Sequence, residues 1–125
     1  MRFFFYRDLV PELYGSALMA STRLITEQPA LVAALVRAVN RGVADTIADP
    51  AAALAALKRR VPAAVDAAEQ ARLTLTLKGE MAHPEGARLG IGAVDSQRFT
   101  AGMHLLCETK GLARVPALRD VFDAN

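Results

Sequence analysis

The chain has 125 residues, 53% of them hydrophobic but only 6% aromatic, with no tryptophan, and its formal net charge is +2. That length suffices for one domain with a core, and the alanine- and leucine-borne apolar content favours helices over a β-sandwich. The cations are scattered, with Lys58-Arg59-Arg60 as the one cluster, which excludes the basic stripe of a dedicated nucleic-acid binder; a single cysteine, Cys107, excludes an internal disulfide framework.

The opening "MRFFFYRDLV" places an arginine before four aromatics and interrupts them with Arg7 and Asp8, so it reads as lacking an export signal. No apolar run approaches the length of a membrane-spanning helix. Residues 3–6, short, aromatic and bounded by charge, predict a strand. Arg7 to Glu12 contains Pro11 and predicts a connection, and Leu13 to Met19, "LYGSALM", predicts a second extended segment. Gly15 within it suggests close approach by another backbone or by a ligand. Tyr14, Gly15 and Ser16 form the one polar-aromatic group of this apolar stretch, and a strand with a buried tyrosine is the favoured explanation of them.

Ser21 or Thr22 then caps a short helical turn that ends before Pro29. Pro29 to Ala48 is the clearest helix. Proline suits its first turn, and Leu31, Val32, Leu35, Val36, Val39, Val43 and Ile47 recur at three- and four-residue steps along one stripe. Arg37, Arg41 and Asp45 line the other side. Asp49-Pro50 ends it and begins another helix with Leu54, Leu57 and Val61 on one face, until Pro62 breaks the pattern. Residues 63–78 carry helical propensity in "VDAAEQARL" and period two in "LTLTLK"; continuity favours one helix. Gly79 to Gly92, with four glycines and Pro84, predicts a loop.

Within "LGIGAVDSQR" the spacing G-x-G-x-x-D imitates a dinucleotide fingerprint, but Asp95 stands where glycine or alanine is needed and would face the pyrophosphate. A helix entrance fits better. Asp95 caps a helix running to Lys110, with Val94 and Phe99 as its hydrophobic staple. Phe99, Met103, Leu106 and Cys107 should point inward, Gly111 should stop the helix, and Val121 and Phe122 should hold the tail against the body.

Chemistry-bearing residues are few. His104 and Cys107 lie three apart, yet cysteine belongs to the apolar stripe and histidine to the polar face. A metal site needs three or four convergent ligands, and His83 with Glu80 and Glu85 in one loop is a weak match that reads as a solvated cluster. Lys58-Arg59-Arg60 suits a helix C-terminus. No residue is assigned to catalysis, to a metal or to a cofactor.

The run from Leu13 to Arg60 resembles the C-terminal part of periplasmic solute-binding proteins of ABC importers, of the nitrate/sulfonate/taurine and thiamine-pyrimidine-precursor type. The resemblance rests on Tyr14-Gly15 and its small neighbours, on P-x-L-V-x-A-x-V-R-A over Pro29 to Ala38, and on the helix pair from Gly42 through Ala53. "GIGAVDSQRF" resembles the entrance to the family's last long helix, and "VPALRDVFDAN" its closing segment.

The resemblance implies a two-lobed α/β periplasmic protein, with the solute in the cleft and an ABC permease as partner. This chain would be a single domain, mainly α with a short N-terminal β segment, forming part of one lobe as a C-terminal fragment. Tyr14, Gly15 and Ser16 would be the ligand-binding residues, where the chain passes near the cleft. Binding without reaction is expected, and two strands lacking partners predict a homodimer of the isolated chain. A free-standing helical interaction module, or part of a thiamine-pyrimidine biosynthetic enzyme, are the competing readings.

Overall fold

The computed structural model describes residues 4–81 and 84–122. The chain divides into two compact units, Met1–Ala17 with Ala93–Asn125, and Leu18–Gly92. Helix dominates both, and among the described residues there is no strand.

In the second unit, helix starts and stops follow local chemistry. Ser21 caps α2 (Thr22–Glu27) by accepting the Leu24 N–H at 3.2 Å. α3 (Pro29–Ala48) begins on its proline, whose missing N–H would have no intrahelical partner in any case. Asp49 closes α3 through its own N–H to the Asp45 carbonyl and opens α4 (Pro50–Arg60) by accepting the Ala52 N–H at 3.0 Å. "LTLTLK" is helical: α5 (Asp66–Thr76) passes directly into a π-helical turn, Leu77–Met81. Lys58, expected to serve the end of α4, reaches further. Its Nζ donates to the Ala64 carbonyl at 2.7 Å and to Asp66 Oδ1 at 2.6 Å, fastening the end of α4 to the first turn of α5.

The loop expected from Gly79 to Gly92 is corrected by the structure. The π-helical turn occupies its beginning, and α6 (Pro84–Leu89) starts on Pro84, a residue that suits a first turn as well as it suits a loop. Only the end of the segment turns sharply, at Gly90 and Gly92, with φ of +95° and +84°.

α3 packs on α2, on α4 and on the π-helical turn, but its apolar stripe is incompletely covered. Val32 and Val43 are half-buried, whereas Leu31, Leu35 and Val39 remain 53%, 47% and 41% exposed. Among the described residues, Cys107 is the buried apolar side chain. The accessible surface is 10123 Å². Two separate compact bodies that shared the 13.4 kDa in proportion to their residues would together expose about 7,800 Å². Large apolar side chains, Leu31, Leu35 and Val39 among them, stay in contact with solvent.

The first unit is built on α7 (Ser96–Thr109). Asp95 caps it as expected, Oδ1 accepting from the Gln97 and Arg98 N–H groups at 3.1 Å each. Gly111, at φ +63°, ends it: the Leu112 N–H reaches the Cys107 carbonyl and the Gly111 N–H that of Glu108, the paired bonds of a Schellman stop. The inward seam runs through Gly102 and Cys107, both buried, with Phe99 and Met103 half-buried. Leu106, expected inside, is 46% exposed. The tail contains α8 (Leu118–Val121) and docks through Phe122, whose ring centroid lies 5.7 Å from that of Phe99; Val121 points to solvent instead.

Among the described residues, neither N-terminal strand forms. Phe3 lies outside the described residues, and Tyr6 begins α1 (Tyr6–Leu9), one helical turn closed by the Val10 N–H on the Tyr6 carbonyl at 2.8 Å. Residues 13–19 form no helix and no strand. A strand needs a neighbour for its backbone groups, and with none described, local turns and side-chain donors take that place.

Candidate functional site

The segment singled out by sequence, Tyr14-Gly15-Ser16, lies in the first unit. Tyr14 is half-buried and holds the chain to the start of α7. The Asp95 N–H donates to its hydroxyl at 2.8 Å, so Asp95 caps α7 with its side chain while its backbone binds tyrosine. The Tyr14 ring lies 5.7 Å from Phe99, making a row of three aromatics with Phe122. Above the ring, 4.3 Å from its centroid, sits the guanidinium of Arg98.

Arg98 also donates from Nε to the Pro11 carbonyl at 2.6 Å and from Nη2 to the Leu13 carbonyl at 3.2 Å. Its planar fork thus occupies two backbone acceptors of a segment that has no strand partner, and it covers an aromatic face as well. This is the residue that sequence reasoning missed. Arg98 was legible only as the third residue of a helix, because its partners lie 87 and 85 positions away.

Gly15 and Ser16 are exposed. A Cβ added at Gly15 would meet nothing within 4 Å, so no close approach is made on that side. The close approach expected there occurs at Gly102, where an added Cβ would stand 2.9 Å from the Glu12 carbonyl oxygen. Residues 11–14 are therefore seated on α7 at a glycine and locked beside it by arginine and tyrosine.

Of the other chemistry-bearing residues, His83 lies outside the described residues. Cys107 is buried, with Sγ 3.8 Å from the Arg114 carbonyl, while His104, three positions earlier on α7, is exposed. His104 borders an open groove between residues 9–12 and α7, together with Glu12, Thr100 and Glu108. Among the described residues no three of His, Cys, Asp and Glu converge as a metal site would require, and no helix is long and apolar enough to cross a membrane.

A prediction arises from the tyrosine. In Tyr14→Phe the ring stays but the Asp95 N–H loses its acceptor. Leaving a half-buried donor unmatched costs about 1–3 kcal/mol. Urea unfolding should show a loss in this range, with faster amide exchange at Asp95; an unchanged midpoint and protection would contradict the assigned bond.

The family model described as NMT1/THI5 like matches residues 1–53. The matched stretch takes in α1, Tyr14-Gly15-Ser16, α2, α3 and the start of α4. No curated protein and no solved structure matches the chain. Residues 1–53 are thus similar to NMT1/THI5-like proteins. "GIGAVDSQRF" and "VPALRDVFDAN", which also carried the sequence resemblance, lie outside the match.

Proposed function

We propose that the chain is the C-terminal portion of the substrate-binding component of an ABC-type importer. The solute would be a small organic or anionic molecule such as a sulfonate, nitrate or thiamine-pyrimidine precursor. The observation that carries this reading is the family match, which falls on the same Tyr14-Gly15 segment and α3 pattern that the sequence resemblance uses. In this reading the complete protein is periplasmic, hands its solute to an ABC permease and catalyses no reaction. Gly15 and Ser16, exposed beside a fixed Tyr14, are the ligand-facing positions. The uncovered face of α3 supports the same reading, since helices of a larger body leave such faces for the rest of that body. In isolation the chain covers part of that face with a second copy.

Sequencing the genomic region around the coding segment tests the proposal. The expected result is a reading frame extended by roughly one to two further domains, beside genes for a permease and an ATPase. A stop codon and ribosome site just ahead of Met1, with no transporter genes nearby, would instead favour a free-standing helical interaction module. Neighbouring genes confined to thiamine biosynthesis would favour the enzyme reading.

A further inference from the structure

We draw no further inference here: the strongest candidate, the open groove in the first unit between Glu12 and the His104–Glu108 side of α7, is lined by side chains without a convergent ligand set, and nothing in the structure shows what would fill it.

Discussion

Gly102→Ala should destabilise the chain, although alanine is the better helix former. In an unobstructed helix this change gains about 0.5–1 kcal/mol, because glycine loses more backbone freedom on folding. At position 102 the new methyl would stand 2.9 Å from the Glu12 carbonyl oxygen and 3.5 Å from Leu13 Cδ2. The nearer obstacle is backbone, and that backbone is held by Arg98 on either side, at Pro11 and Leu13. Relief requires residues 11–14 to lift from α7, and overpacking of this kind costs about 1–3 kcal/mol. The clash outweighs the propensity gain. Gly42→Ala in α3 is the matched comparison: an added Cβ there meets nothing within 4 Å. Urea unfolding should therefore move in opposite directions, less stable for Gly102→Ala and slightly more stable for Gly42→Ala. Equal gains for both would show that residues 11–14 do not sit on α7.

The isolated chain should also associate with itself in a concentration-dependent way. Leu31, Leu35 and Val39 occupy one edge of α3 and are each about half exposed. Full burial of such side chains is worth about 1.5–3 kcal/mol each, so covering the exposed halves recovers about 2–5 kcal/mol in all. Association itself costs at least about 4 kcal/mol in lost freedom. These three side chains alone do not hold a dimer, so further apolar surface must join the contact, and weak pairing is to be sought between about 1 μM and 1 mM. Exchange of N-terminal strands does not contribute, because no strand is present among the described residues. Sedimentation equilibrium should show a rising mass across this range, and Leu35→Lys should return the chain to monomer without loss of helix signal. A wild-type monomer persisting at high micromolar concentration would refute the pairing. A dimer untouched by Leu35→Lys would place it elsewhere.

Features set by neighbouring residues were legible in the sequence. Ser21, Pro29, Asp49-Pro50, Asp95 and Gly111 each mark a helix end through a bond or a dihedral angle completed within a few positions. The continuity of "LTLTLK" with α5 was legible for the same reason: the helix-prone "VDAAEQARL" runs directly into it. Phe3–Tyr6 misled because an aromatic run signals a strand only when a ladder partner exists. Pro84 misled because proline opens helices as readily as it marks loops. The candidate site was half legible. Tyr14 stood out as a polar aromatic in an apolar run, but its partner Asp95 lies 81 positions away and looked occupied with capping. Arg98 and Gly102 gave no signal of their own, since the carbonyls they meet belong to the distant segment from Pro11 to Leu13.

The claim that this chain belongs to a solute-binding protein is tested most directly by calorimetry on two samples: the 125-residue chain, and the product of the longest reading frame that contains it. Each is titrated with taurine, nitrate and an aminopyrimidine thiamine precursor. A ligand in a cleft is enclosed over most of its surface, so the chain alone should give no tight binding. The longer product should bind one of these solutes at a single site. Micromolar binding by the 125-residue chain would contradict its being one part of the site, and a folded longer product that binds none of them would contradict the solute-binding role.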